Sequence, residues 1–203
     1  MLGLNPNAPL LLVMGGSQGA SKINDLALGA VAQLRGAVPN LQFMHLTGSR
    51  DVEKVRAGYT AKGVSALVRG FFDDMGTALA AADAAVSRAG ASSLAELAAR
   101  RLPAVLIPYP TAADNHQHYN ALAFAQSGAA RTLPQATTTA DLLAQTILDL
   151  LMDGTRRGAM QKALAGWYAP GASAQIAERI LHWNRDKAEA ASVAGTKQWP
   201  VLT

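Results

Sequence analysis

Apolar residues follow two rhythms along this chain. Short apolar runs predict strands near Pro9–Met14, Gln42–Thr47, Ser65–Arg69, Ala84–Ser87, Ala104–Ile107 and Ala129–Thr132. Between them lie stretches in which apolar positions return every three or four residues, the helical period. Those stretches predict helices over Ser21–Arg35, Asp51–Lys62, Met75–Ala82, Ser92–Arg100 and Asn115–Gln126. The strand runs are short and mainly apolar, as expected where both faces of a sheet are covered. Covered strands alternating with helices are the pattern of an α/β fold, a parallel six-stranded sheet with helices on both faces. From Thr138 the strand signals stop, and helices are expected over Ala140–Met152, Thr155–Ala165 and Ala172–Asn184. Beyond Arg185 the segment DKAEAASVAGTKQWPVLT loses amphipathic periodicity and reads as a loosely ordered tail, with Trp199 as an isolated aromatic in it. The expected organisation is a lead-in over residues 1–8, one domain over 9–185 and a tail over 186–203.

Composition narrows the classes. Half of the 203 residues are apolar and 16% are charged, which suits a packed core and opposes extended disorder. The absence of cysteine excludes a disulfide scaffold and a thiolate metal site, and is compatible with a reducing cytoplasm. A net charge of +4 suits anionic partners such as nucleotides, lipid diphosphates or an anionic membrane surface. No cluster of Lys and Arg is dense enough to suggest nucleic acid. The longest apolar run, around Leu10–Met14, is far below the roughly 20 residues of a spanning helix, and nothing resembles a signal peptide. A cytoplasmic protein, soluble or peripheral on a membrane, is expected.

In an open parallel sheet, ligands bind outside the carboxyl ends of the strands, so the loops after each strand hold the candidate chemistry. The richest is Ala84–Glu96, AAVSRAGASSLAE, which sets a strand, a glycine turn and a helix start in succession. Ser92 or Ser93 can cap that helix, Gly90 supplies the turn, and Glu96 falls about one turn later. A helix N-terminus offers unpaired N–H groups and partial positive charge, and hence an anion site. If the anion is a nucleotide diphosphate, Glu96 is placed to accept hydrogen bonds from ribose hydroxyls. Arg88 adds a cation beside the helix mouth, or equally ties down the loop by bonding to carbonyls.

Three other loops contribute. Gly15-Gly16-Ser17-Gln18-Gly19-Ala20 follows the first strand, where glycines allow close backbone approach to a ligand or simply tight strand–helix packing. It is neither a Walker loop nor a G-x-G-x-x-G in register, and the second strand, continuing His45-Leu46-Thr47-Gly48, lacks the acidic residue suited to an NAD ribose. A dinucleotide oxidoreductase is therefore disfavoured. In Gly70-Phe71-Phe72-Asp73-Asp74-Met75, Phe72 and Met75 form either an apolar wall for a base or part of the core, and the two aspartates read as helix caps rather than acids. Asp114-Asn115-His116-Gln117 lies where the loop after the fifth strand enters a helix, and such side chains suit sugar hydroxyls. His116 and His118 point in different directions on a helix and have no evident third ligand, so no metal is expected. His45 and His182 read as ordinary strand and helix residues. No nucleophile–base arrangement and no confidently placed carboxylate pair is apparent, so no catalytic residue is assigned.

These four loops, in this order, resemble the carboxyl-terminal half of the MurG family, which transfers N-acetylglucosamine (GlcNAc) from UDP-GlcNAc to undecaprenyl-diphosphoryl-MurNAc-pentapeptide (lipid I to lipid II). The resemblance covers roughly Pro9 to Leu181. It implies a Rossmann-like domain forming one half of a two-domain GT-B glycosyltransferase that needs no cofactor. It further implies uracil against Phe72 and the backbone near Met75, and the diphosphate on the N–H groups of Ala91, Ser92 and Ser93. Glu96 would take the ribose, His116 and Gln117 the GlcNAc hydroxyls, and Ser17 and Gln18 would line the cleft beneath them. The family's other half carries the glycine loops for the lipid diphosphate, a membrane-contact patch and a histidine that looks like the catalytic base. By that resemblance, lipid I and the base belong to an acceptor half that this chain lacks, whether through truncation or because a separate acceptor-domain protein supplies it. A UDP-GlcNAc epimerase, with a similar fold and the same donor, is the remaining alternative.

Overall fold

Every residue of β1 (Leu10–Met14) is buried, and the strand lies inside the sheet. The computed structural model describes residues 3–16 and 19–195, so Ser17, Gln18 and Trp199 lie outside the described residues. The chain divides into a unit ending at Tyr168 and a second beginning at Ala169. In the first, β1 pairs in parallel with β2 (Gln42–Leu46) on one side and β4 (Ala84–Ser87) on the other, Leu12 standing opposite Met44 and Ala85. With β3 (Ala66–Arg69), β5 (Ala104–Leu106) and β6 (Arg131–Thr132), the six-stranded parallel sheet has the order β3-β2-β1-β4-β5-β6. This is the Rossmann-like α/β sheet expected from the strand pattern.

The chain steps outward from β1 to β3, then crosses back to β4. Right-handed crossovers therefore place α1 (Ser21–Ala37) and α2 (Val52–Ala61) on one face, and α3 (Met75–Ala81) and α4 (Ala91–Arg100) on the other. After α5 (His116–Gln126), α6 (Ala140–Met152) packs on α1, and α7 (Gly154–Ala165) packs on α4. The reversal falls between β1 and β4, where a crevice opens at the carboxyl ends of the strands. In the second unit α8 (Ala172–Gly195) continues past Asn184, where periodicity had suggested an end.

Element ends follow local hydrogen bonding. Asp74 caps α3 by accepting from the Thr77 N–H, Thr139 caps α6, and Asp153 caps α7 one residue earlier than expected. The last two strands are shorter than their apolar runs. Pro103 and Pro108 flank β5, and prolines cannot donate to the ladder. Its partner β6 is correspondingly cut to two residues, while Ala129 instead donates to the Phe124 carbonyl.

One polar network crosses the core. His45 on β2 is fully buried between Tyr59 of α2 and Asn24 of α1, its Nδ1 lying 3.1 Å from the Tyr59 hydroxyl and its Nε2 3.0 Å from Asn24 Oδ1. Asn24 Nδ2 in turn donates to the Thr47 carbonyl and to Asp51 Oδ2. Since an amide oxygen only accepts, Nε2 carries the imidazole proton and Nδ1 accepts from Tyr59. His45, which reads as an ordinary strand residue, thus pins the β2–α2 loop to α1. Burial lowers its pKa to about 4, partly opposed by the Asp51 carboxylate, so the ring is neutral at pH 7. Burial likewise raises the Tyr59 phenol above its ordinary value.

Candidate functional site

At the carboxyl edge of the sheet, the head of α4 faces a cavity of about 310 Å³. Its lining combines Phe72 and Met75, the expected base wall, with Ser92, Ser93 and Glu96, the expected diphosphate and ribose residues. Three loops distant in sequence meet here because β1 and β4 are neighbours and α3 packs on α4. Phe71, which sequence reasoning passed over for its neighbour, also lines the cavity and is 64% exposed. The strand-end residues Met14 and Leu46 form its apolar floor.

The capping arrangement differs from the expected one. Helix α4 begins at Ala91 with Gly90 as its N-cap, and no side chain caps it. Ser92 and Ser93 therefore sit inside the first turn, and Glu96 lies further along the helix than a serine cap would put it. The first helical hydrogen bond runs from the Leu94 N–H to the Gly90 carbonyl, so the N–H groups of Ala91, Ser92 and Ser93 have no acceptor within the helix. An uncapped first turn with three free donors is a stronger anion site than a serine-capped one, because a cap consumes one of them.

A second cleft, of about 580 Å³, lies across the β1 loop. Gly16 borders both cavities at a φ of +85°, and a Cβ there would meet nothing within 4 Å. Gly19, at φ +74°, packs so closely on the β2–α2 loop that a Cβ would fall 2.5 Å from the Thr47 carbonyl oxygen. The glycine loop therefore serves both readings: Gly16 leaves open space toward a ligand, and Gly19 meets the demand of tight packing.

Around this second cleft the remaining candidates separate. Gln117 lines it, and its Oε1 accepts from the Tyr109 N–H at 3.0 Å and the Ala89 N–H at 3.3 Å, while Asn120 donates to the Ala89 carbonyl. Gln117 thus ties α5 to the β4–α4 turn, and its Nε2 is the group left to face a ligand. Asp114, Asn115 and His116 are exposed and line neither cavity. Asp114 and Asn115 both take left-handed backbone conformations, which Asp and Asn tolerate better than most residues. His116 Nδ1 lies 2.7 Å from the Ala113 carbonyl oxygen. The structure therefore brings Gln117 to the cleft edge and leaves its three predecessors on the loop outside.

Arg88 adopts the loop-tying role. It is 7% exposed, with Nη1 donating to the carbonyls of Ile107 and Pro108, Nη2 donating to Gln135, and the guanidinium 5.2 Å from the Tyr109 ring centroid. Burial lowers its pKa from the ordinary arginine value, and Tyr109 partly offsets that. Lys22, Arg50, Tyr109 and Gln135 also line the cleft and were not singled out from sequence. Arg50 and Gln135 stand just after β2 and β6, so extending the strand-end rule to every strand would have found them. Glu96 is the one carboxylate lining either cavity among the described residues, and no group of three His, Cys, Asp or Glu side chains among them could hold a metal ion.

Several glycosyltransferases share this arrangement. Residues 10–180 match the glycosyltransferase family 28 C-terminal domain. The UDP-N-acetylglucosamine--N-acetylmuramyl-(pentapeptide) pyrophosphoryl-undecaprenol N-acetylglucosamine transferase of Anaeromyxobacter dehalogenans is 43% identical over 171 residues, covering 84% of this chain and 45% of the relative. That of Syntrophotalea carbinolica is 44% identical over 179 residues, covering 88% and 49%. The crystal structure of Acinetobacter baumannii MurG superposes with a TM-score of 0.76 at 31% identity, over 89% of this chain and 52% of that one. A putative UDP-N-acetylglucosamine 2-epimerase from Listeria monocytogenes shares the fold, with a TM-score of 0.67 at 14% identity. The chain spans about half the length of the transferases it matches. Sheet order, the glycine loops and the family match over residues 10–180 together establish that this chain belongs to glycosyltransferase family 28 and carries its C-terminal domain.

Proposed function

We propose that this chain is the donor-binding half of an inverting glycosyltransferase that moves GlcNAc from UDP-GlcNAc to undecaprenyl-diphosphoryl-MurNAc-pentapeptide. The observation that carries the reading is the 310 Å³ cavity, which gathers an aromatic and thioether wall, a helix mouth with free N–H groups, and a carboxylate. Uracil lies against Phe72 and Met75, the ribose hydroxyls donate to Glu96, and the diphosphate sits on the N–H groups of Ala91, Ser92 and Ser93. The sugar then extends past Gly16 toward Gln117. Relatives named for this transfer at 43–44% identity favour it over the epimerase, whose likeness at 14% identity concerns the fold.

Direct displacement at the anomeric carbon breaks the bond to the UDP oxygen, and the bonding pair that leaves with UDP adds one negative charge to the diphosphate, which must be stabilised. The mouth of α4 supplies that stabilisation, typically worth about 0.3–2 kcal/mol for a helix terminus. The acceptor hydroxyl needs a base, and among the described residues no histidine lines either cavity. The base and the binding of lipid I are assigned to an acceptor half, and the complete enzyme to the cytoplasmic membrane face. Among the described residues, no helix is long and apolar enough to cross a membrane.

Calorimetric titration with UDP-GlcNAc, UDP-glucose and UDP tests the donor site. All three are expected to bind, UDP-GlcNAc more tightly than UDP-glucose, and Glu96→Ala is expected to weaken UDP by roughly tenfold, a loss of about 1.4 kcal/mol. Absence of UDP binding, or an unchanged affinity in the variant, would falsify the assignment. The chain alone is expected to transfer no sugar to lipid I.

A further inference from the structure

Both cavities described above lie at the carboxyl edge of the sheet, and the opposite edge carries a groove of its own. Asp83 and Pro103, which immediately precede β4 and β5, place it at the amino ends of those strands, where the last turn of α4 meets α7. Two hollows of about 260 and 480 Å³ share Arg100, Arg101 and Gln161 and so form one continuous groove. Arg157 lines the first hollow and Lys162 the second. Asp83 is the one carboxylate in either lining, and its Oδ2 is already engaged by the Leu10 N–H. Among the described residues, none of the four cations forms an ion pair. Arg157 is fixed by donating to the Leu150 and Leu151 carbonyls, and Arg100 lies near Asp74, the cap of α3. Arg101 and Lys162 are exposed, and no carboxylate lines the hollow that they share.

Cations near helix C-termini complement the carbonyl end of the dipole, and that accounts for part of the charge here. It does not account for two departures from local preference. Arg101 follows the last turn of α4 in a left-handed conformation, φ +50°, where glycine is the common residue and a side chain is strained. Gly158 stands inside α7, where glycine weakens a helix, yet a Cβ there would meet nothing within 4 Å. Glycine is thus absent where the backbone asks for it and present where packing does not. Both choices shape the same groove: the first sets a guanidinium on its wall, and the second keeps its space clear. Departures that packing leaves unexplained, gathered in one place, point to a use.

We propose that this groove docks an acidic segment of a partner protein, a stretch of chain carrying several Asp or Glu side chains. Arginine forks match carboxylates, and cations spread over two successive hollows suit charges spaced along a chain better than one compact anion. Gln161 borders both hollows, and its amide, which has no partner among the described residues, suits a peptide backbone. Buried Leu79 and Leu102 give the first hollow an apolar floor. Charge matching of this kind chiefly sets the specificity and speed of association. The groove and the donor cavity lie at opposite ends of α4, and neither reading depends on the other.

The test is fluorescence anisotropy of labelled octaglutamate titrated with the full chain at low ionic strength. Saturable one-to-one binding is expected. Arg101→Gln with Lys162→Gln is expected to weaken it roughly tenfold or more, and Lys62→Gln with Arg131→Gln, which removes the same charge elsewhere, by less than about twofold. Two further variants guard against misfolding, with melting followed by circular dichroism. Arg101→Gly removes the cation and relieves the left-handed strain, so it is expected to weaken the peptide while the melting temperature holds or rises. Gly158→Leu keeps every charge and favours the helix, so it is expected to raise the melting temperature, and by filling the groove to weaken the peptide at least about threefold. Absence of saturable binding, an equal loss in the Lys62 and Arg131 pair, or unchanged affinity in Gly158→Leu overturns the proposal. Inorganic triphosphate, phosphatidylglycerol vesicles and oligothymidylate are expected to bind more weakly than octaglutamate. Tighter binding of any of them through Arg101 and Lys162 overturns the assignment to an acidic protein segment.

Discussion

Acidification tests the buried His45 network directly. In the unfolded chain the imidazole has its ordinary pKa of 6.5, whereas in the folded protein it is lowered to about 4, chiefly by burial. Below pH 6.5 the unfolded chain takes up a proton that the native ring refuses, so stability falls as pH falls and levels off once the folded pKa is passed. The interval between the two values corresponds to a loss of about 3 kcal/mol, at 1.36 kcal/mol per pH unit. For a domain whose total stability is typically about 5–15 kcal/mol, such a loss is readily measured. The carboxyls of Asp51 and Asp74 are held below their usual range by hydrogen bonds from Ser21 and Thr77 respectively. Their contribution is therefore complete above the unfolded value of 3.8 and is lost below it, outside the histidine window. Urea unfolding at intervals from pH 7.5 to 4.5, in the wild type and in His45→Gln, separates the effect from other groups. The variant is expected to be less stable at pH 7.5 and to lose most of the wild type's slope between pH 6.5 and 4.5. Equal slopes in the two proteins, or a His45 ring titrating near 6.5 by nuclear magnetic resonance, would refute the reasoning.

Two more outcomes follow from backbone geometry. Gly19→Ala combines a left-handed backbone with a Cβ 2.5 Å from the Thr47 oxygen, so a stability loss of at least about 2 kcal/mol is expected by urea unfolding. Gly16→Ala carries only the backbone strain, about 1 kcal/mol, but its methyl group would project between the two cavities, so calorimetry should register weaker UDP-GlcNAc binding than UDP binding. Gln117→Leu removes the acceptor shared by Ala89 and Tyr109; because the Ala89 N–H is left without it, a loss of about 1–2 kcal/mol in stability is expected, with weakened discrimination between UDP-GlcNAc and UDP-glucose.

Much of the fold is legible because strand and helix periodicities are local. The runs at Leu10–Met14, Gln42–Leu46 and Ala84–Ser87 are mostly apolar because they are covered on both faces, and burial of their large apolar side chains, at roughly 1.5–3 kcal/mol each, leaves little freedom in where they lie. The cavity residues Phe72, Met75, Ser92, Ser93 and Glu96 were likewise accessible from the rule that ligands meet parallel sheets at strand ends. The start of α4 was not: serine is the better cap by propensity, yet Gly90 takes that position, and helical geometry begins at Ala91. The start of β6 was not either: its end at Thr132 was legible, but only Arg131 and Thr132 find partners on β5, so Ala129 and Ala130 fall outside the strand.

The sequence by itself determined the succession of elements, the covered sheet and the loops at which a ligand would be met, because each is written in the spacing of neighbouring residues. Tertiary structure alone decided what the side chains in those loops do. Arg88 meets carbonyls 19 and 20 residues away, and His45 meets an amide from α1 and a phenol from α2. Gly16 separates two cavities only because the chain, after β3, returns to place β4 beside β1. Hydrogen bonds and fields act between groups close in space, and that closeness is set by strand order, which no local pattern encodes.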